Sequence, residues 1–231
     1  MNAPSTTQLL HKAASAGSDL ALTTGGSSAI KLFLILTALS FGTALVLSVT
    51  SFTRIVIVLS FLRQALGTPQ LPPNQVLIGL SLFLSLFIMG PTVRQVHQQA
   101  LKPLMADKIS VGEALARAQG PLSEWMLKQT REEDLRLMFE VSAAPRPARG
   151  EVVPFTVLVP AFMVSELGSA FRMGLFIFVP MLLIDLLVAV ILMALGMMMV
   201  PPTMVALPLK LGVFLLAGGW HLVVSSLLRS F

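Results

Sequence analysis

The feature that most restricts the fold is a long apolar tract from Val152 to Val200. A helix that crosses the hydrocarbon core of a bilayer needs about 20 residues, so this tract is too long for one straight span. Helix breakers divide it at Pro154, Pro160, Gly168, Gly174 and Pro180. The pattern predicts two segments, about Val157 to Met173 and Gly174 to Met199, which bend back on one another or form a broken helix.

Three further apolar stretches are Ile30 to Thr53, Val76 to Gly90 and Thr203 to Leu228. Hydrophobic residues make up 55% of the 231 positions and charged residues only 12%, with a mean hydropathy of +0.84. A soluble domain carries about 25% charged residues, so the composition indicates a membrane protein. Short, interrupted stretches suit helices that are buried against protein rather than surrounded by lipid.

The order of apolar and polar stretches predicts four regions. They are a disordered polar tail (1–29), a first apolar helical hairpin (30–91), a polar helical module (92–151) and a second apolar helical region (152–231). The tail contains no apolar segment typical of a signal peptide. The segment from Thr53 to Gln75 has Arg54 and Arg63 but no acid, which favours a cytoplasmic position and a periplasmic one for the polar module.

Two helices are predicted within the polar module. Ser110 and Glu113 form a capping box, so the first should run from Val111 to Gln119 and end at Gly120-Pro121. Apolar residues then recur at helical spacing up to Phe139. The charge run from Arg131 to Arg136 is interpreted as a solvated helix face rather than a site.

Five charges lie at or within the apolar stretches: Arg54, Glu166, Arg172, Asp185 and Lys210. An unpaired charge in hydrocarbon is costly, so each requires a partner, water or an interface. Lys210 is the natural candidate to pair with Glu166, and Arg172 or Arg54 to pair with Asp185. Such pairs can be purely structural. The alternative is a proton-coupled transporter in which Asp185 and Glu166 carry protons.

Several function classes have no support in the sequence. The chain has no cysteine, its three histidines lie far apart, and it contains no GxxxxGK[ST] phosphate-binding loop. Although the net charge is +5, no basic stretch is interleaved with stacking aromatics, so nucleic acid is not an expected partner. We therefore predict a protein that is not an enzyme and holds no metal or cofactor.

The segment "GMMMVPP" places Met197, Met198 and Met199 between Gly196 and the pair Pro201-Pro202. The glycine should end a helix and the prolines should prevent its continuation. Three adjacent side chains cannot all face one packing surface. The methionines either fill space around a helix end or, in an oligomer, form a deformable ring that closes a pore.

From Thr50 to the C-terminus the sequence resembles the FliP/SctR family of type III export-gate proteins. The matching stretches are "TSFTRIVIVLSFLRQALGTPQLPPNQVLIGLSLFLSLFIMGP", "ISVGEALARAQGPLSEWMLKQTREEDL", "VLVPAFMVSELGSAFRMGLFIF" and "IDLLVAVILMALGMMMVPPTMVALPLKLGVFLLAGGWHLVVSSLL". The "LKQTREEDL" segment favours the flagellar over the injectisome branch, although flagellar members commonly begin with a cleaved signal peptide that this chain lacks.

The resemblance implies an all-α subunit in the bacterial inner membrane at the base of the flagellar basal body. It implies a pore of about five copies, assembled with FliQ-like and FliR-like subunits, through which unfolded proteins are exported. In the family the methionine loop, here Met197 to Met199, forms the gasket of the closed channel. Glu166 and Lys210 match positions that carry opposite charges between adjacent subunits.

Overall fold

The computed structural model describes residues 47–142, 153–197 and 199–231, together with five isolated positions at 33, 36, 37, 40 and 42. The predicted polar tail and the segment 143–150 lie outside the described residues. The chain divides into two units, Met1–Val46 and Leu47–Phe231. The described positions of the first unit are helical.

All regular elements in the described part of the second unit are helices and none is a strand, which confirms the all-α prediction. Its elements are α1 (Phe52–Ala65), α2 (Asn74–Ile88), α3 (Gly90–Val96), a π-helical turn (His97–Leu101), α4 (Lys102–Met105), α5 (Val111–Gln129), α6 (Glu132–Ser142), α7 (Phe155–Ala194), α8 (Pro202–Leu216) and α9 (Gly219–Arg229).

The central helix α7 corrects the prediction of two segments. It is continuous over 40 residues, with Pro160 and Pro180 in its interior. At 1.5 Å per residue it is about 60 Å long, roughly twice the thickness of a bilayer's hydrocarbon core. Each proline removes only one backbone donor. Packing against other helices preserves the backbone hydrogen bonds of α7 on either side of it.

The glycines of α7 permit close approach instead of breaking the helix. A Cβ atom at Gly174 would lie 2.6 Å from a ring carbon of Phe61 on α1. At Gly168 it would lie 3.0 Å from the Arg131 guanidinium. The Phe61 ring also makes edge-to-face contacts with Phe171 and Phe178, at centroid distances of 5.3 and 6.5 Å. Gly168 and Gly174 therefore lie where Arg131 and helix α1 come closest to the α7 backbone.

Helix α1 packs along α7 through an apolar stripe. Its buried residues Ile55, Val58, Leu59 and Leu62 recur at helical spacing and belong to one core cluster with Ala170 of α7. Such spacing places the four side chains on one face of the helix. The cluster also contains Ala65, Leu66 and Met181 and buried residues of α2, α8 and α9.

The polar module packs against the first part of α7 around a second cluster that includes Met126, Phe139 and Phe162. The prediction that its first helix ends at Gly120-Pro121 is wrong, because α5 continues to Gln129 with Pro121 buried inside it. Packing of Met126 and its neighbours outweighs the donor lost at the proline. The N-cap is confirmed, since Ser110 Oγ accepts from the Glu113 backbone N–H at 3.2 Å.

Among the described residues, α7 is long and apolar enough to cross a membrane by itself. Two bent pairs also qualify if each is counted as one span. In the first, Asn74–Ile88 is followed by Gly90–Met105 at 65°; in the second, Pro202–Leu216 is followed by Gly219–Arg229 at 63°. The second bend is tight because Gly219 packs directly against the Phe214 ring.

Candidate functional site

The first of two charge clusters on α7 centres on Arg54, near the start of α1. Its guanidinium forms a bidentate ion pair with Glu166, in which Nε donates to Oε2 at 3.0 Å and Nη2 donates to Oε1. Arg54 is 3% exposed and Glu166 is fully buried. Two parallel hydrogen bonds make this the strongest geometry available to an arginine and a carboxylate.

Neutral groups satisfy the remaining donors of Arg54. Nη1 donates to the backbone oxygen and hydroxyl of Ser230, at 2.7 and 3.2 Å, and Nη2 donates to Gln129 Oε1 at 3.3 Å. The guanidinium carbon lies 4.0 Å from the ring centroid of Phe231, which stacks on Trp125. All five N–H donors of the guanidinium thus have acceptors. One side chain joins α1, α5, α7 and the residues after α9.

The second cluster lies further along α7, where Lys210 of α8 pairs with Asp185. The Lys210 ammonium is 2.5 Å from Asp185 Oδ2 and 3.1 Å from the backbone oxygen of Ala65. Ala65 is the last residue of α1, whose final carbonyls have no partner within the helix. A cation at this end also complements the helix dipole. Lys210 is buried, whereas the Asp185 side chain is 32% exposed.

These contacts show that α1 runs parallel to α7. Arg54 lies beside Glu166, Phe61 beside Gly174, and Ala65 is joined to Asp185 through Lys210. The two acids are roughly 28 Å apart along α7 at its helical rise. Arg54 and Lys210 therefore connect α1 to α7 at two separate positions along α7.

Within the chain, the predicted pairing of these charges is wrong. Glu166 pairs with Arg54, not Lys210, and Asp185 pairs with Lys210, not Arg54 or Arg172. Arg172 is exposed on α7. The reason is the parallel register of α1, which puts Arg54 at the level of Glu166 and leaves Lys210 beside the other acid. A single sequence contains no information on that register.

Sequence reasoning also missed Gln129 and Ser230 as partners of Arg54. The available signal was the number of donors: a buried guanidinium has five, and one carboxylate cannot accept them all. The charge run from Arg131 to Arg136 is only partly solvated. The Arg131 backbone N–H donates to Ser165 Oγ at 3.0 Å, and that hydroxyl donates to Asp134 at 2.5 Å.

The methionine loop follows the end of α7. The Gly196 N–H donates to the Met193 oxygen at 3.1 Å and the Met197 N–H donates to the Leu192 oxygen at 2.9 Å. With Gly196 at φ +75°, this is a Schellman motif, in which glycine takes the left-handed conformation that ends a helix. The helix thus ends at the predicted glycine.

Beyond that glycine, Met197 is 46% and Met199 97% exposed. Met198 lies outside the described residues. Pro201 precedes α8 and Pro202 is its first residue, a position that needs no backbone donor. The prolines therefore begin the next helix as well as prevent continuation of α7.

No group of three or more potential metal-ligating side chains occurs among the residues that the structure describes. The described residues define a class: an all-α membrane protein whose helices are joined by two ion pairs, one of them fully buried.

Comparison with known proteins identifies the family within that class. Residues 35–227 match the model of the FliP family. The flagellar biosynthetic protein FliP of Bacillus subtilis is 50% identical over 205 residues, which cover 89% of this chain and 93% of that protein. The proteins of the same name from Pectobacterium carotovorum and Aquifex aeolicus are 50% and 46% identical and are covered over 83% and 85% of their lengths. The chain belongs to the FliP family.

Proposed function

We propose that this chain acts in flagellar protein export as a pore subunit of the export gate, where it lets unfolded proteins pass and seals the closed channel. Family membership supports the role in flagellar biosynthesis. The proposal extends to a ring of about five copies with FliQ-like and FliR-like subunits, at the base of the basal body in the inner membrane. No catalytic step is assigned to it.

The observation that carries the sealing role is the exposed methionine loop. Met199 projects almost completely from the chain, beside a helix end that is fixed by Gly196 and a helix start that is fixed by Pro202. A rigid base with mobile, polarisable side chains can close a pore around an axis and deform around a passing polypeptide. A hydrophobic constriction of this kind also opposes ion flow by dewetting.

The transporter alternative receives less support from the charges. Glu166 and Asp185 are each already bonded to a cation within the chain. A proton carrier must exchange its proton with water or substrate, and a fully buried carboxylate in a bidentate pair is poorly placed to do so. We therefore interpret both pairs as structural.

The test is a conductance measurement on the complete complex in planar bilayers. Met197, Met198 and Met199 are replaced together by alanine, and the control replaces Val141, an apolar side chain on α6 that is 77% exposed, by alanine. We expect normal assembly for both variants but an ion leak only for the loop variant. Unchanged conductance in the assembled loop variant would exclude the gasket role.

A further inference from the structure

The segment from Gly90 to Met105 exposes apolar and basic side chains, together with polar side chains at positions 95 and 97–99. It comprises α3, the π-helical turn and α4, and it leaves the apolar helix α2 at a bend of 65°. Val93, Leu101 and Met105 are 47%, 46% and 78% exposed. At 3.6 residues per turn, spacings of eight and four residues place these three side chains within an arc of about 120° around the segment.

Basic residues lie next to this apolar row. Arg94 and Lys102 each follow an exposed apolar residue by one position, and both are exposed. Lys108 is also exposed. The only acid between Gly90 and Ser110 is Asp107. We call Val93, Arg94, Leu101, Lys102 and Met105 the basic apolar strip.

The other side of the segment is already used by the chain itself. Thr92 and Ala100 are buried, and α3 and the π-helical turn pack against α5. The start of α5 adds two more exposed apolar side chains, Val111 and Leu115, at 74% and 65%. Within the described residues nothing covers this end of the polar module, even though it is rich in bulky apolar groups.

We propose that the basic apolar strip lies on the membrane surface and binds anionic lipid headgroups. A helix is held at the membrane–water interface when its apolar side chains insert at the depth of the headgroups and Arg and Lys flank them. For a helix α2 that stands upright in the membrane, a bend of 65° turns the following segment toward the membrane plane. The inference rests on a membrane location and does not require the export function.

Charge favours anionic lipid over direct pairing of two such strips. Two strips that face one another would bring Arg94 and Lys102 of each copy against the same positive charges of the other, which is unfavourable. In a ring of copies the strip would face a different surface of its neighbour, and the labelling experiment separates that case by shielding from both reagents. Anionic headgroups supply the opposite charge. Each Lys or Arg near such a surface contributes about 1 kcal/mol, which corresponds to about a five-fold change in the equilibrium.

The absence of cysteine from these 231 residues allows a single spin label to be attached at any chosen position. We would label Met105→Cys in vesicles of phosphatidylcholine, with and without phosphatidylglycerol, and use Leu137→Cys on α6, 48% exposed, as the control. Relaxation by oxygen, which partitions into lipid, is compared with relaxation by a water-soluble nickel chelate. We expect high oxygen and low nickel accessibility at position 105, strengthened by phosphatidylglycerol, and the reverse at position 137.

The second part of the experiment reverses the charges of the strip. Arg94→Glu with Lys102→Glu should shift the labelled segment toward water by more than about 25-fold in the surface-bound equilibrium, because the loss of two positive charges alone accounts for about 25-fold and the headgroups also repel the added carboxylates. Lys128→Glu with Arg136→Glu changes the net charge equally, on exposed positions of α5 and α6, and should have little effect.

Three results would overturn the proposal. Nickel accessibility at position 105 in both kinds of vesicle would show that the strip stays in water. Shielding from both reagents would show that protein, such as another copy, covers it. Insertion that is unaffected by phosphatidylglycerol and by the Arg94 and Lys102 reversal would show that headgroup charge has no role.

Discussion

The two ends of the α1–α7 contact use ion pairs in different ways. At the Glu166 level the pair is fully enclosed and every donor of Arg54 has an acceptor within the chain. At the Asp185 level the carboxylate is one-third exposed, and the methionine loop follows at the end of the same helix. The comparison teaches that the ion pair at one end of the contact is satisfied within the chain, while the pair at the other end leaves part of its carboxylate available for contacts outside the chain.

The largest effect should come from removing the enclosed acid. Glu166→Ala leaves the Arg54 charge buried without its counter-ion, which costs about 3–5 kcal/mol. We expect a large fall in the thermal unfolding midpoint of the purified chain in detergent. The control is Glu133→Ala, an exposed acid on α6, which should change stability by less than about 0.5 kcal/mol. Equal effects for the two variants would mean that the pair is not buried as described.

A second variant tests the contact between α1 and α7 that lies between the two ion pairs. Gly174→Ala puts a methyl group against the Phe61 ring, and overpacking of this kind costs about 1–3 kcal/mol. Gly212→Ala on α8 is the matched control, because nothing lies within 4 Å of the added Cβ. It should stabilise the helix by up to about 1 kcal/mol. Thermal unfolding of both variants would reveal opposite signs, and the same sign would contradict the close approach of α1 and α7.

A substitution at Asp185, where the ion pair is partly exposed, should lower the stability of the chain less. Asp185→Asn retains the size of the side chain and removes its charge, and its 32% exposure lets water replace part of the lost interaction. We expect a loss of about 1–2 kcal/mol, smaller than that of Glu166→Ala, in the same unfolding assay. A larger loss than at Glu166 would invert the comparison.

The smallest effect is expected in the methionine loop. Met199→Ala removes a side chain that is 97% exposed, so the stability of the isolated chain should change by less than about 0.5 kcal/mol. A measurable destabilisation of the isolated chain would show that Met199 packs within it. In that case the Met199 side chain would not be available to form the gasket.

Much of the fold was predictable because its signals are local. The Ser110 cap, the turn at Gly196 and the all-α class each follow from a few neighbouring residues or from composition. The continuity of α7 and α5 was not predictable in this way. Their prolines signal a break, and only contacts with distant segments override that signal.

The charges illustrate the same limit at the candidate site. The sequence indicates that Arg54, Glu166, Asp185 and Lys210 need partners, but two acids and two bases can be matched in more than one way. The choice depends on the register between α1 and α7, in which Phe61 packs against Gly174. A glycine that is predicted from sequence alone to break the helix thus lies at a close contact between the two helices.

A double-mutant cycle on Glu166 tests the central claim, the assignment of the two pairs, most directly. Glu166→Ala is combined with Arg54→Ala in one cycle and with Lys210→Ala in the other, and unfolding free energies are measured for the purified chain. We predict a coupling energy of about 1–3 kcal/mol with Arg54 and additivity within about 0.5 kcal/mol with Lys210. Strong coupling to Lys210 together with additivity for Arg54 would contradict the account.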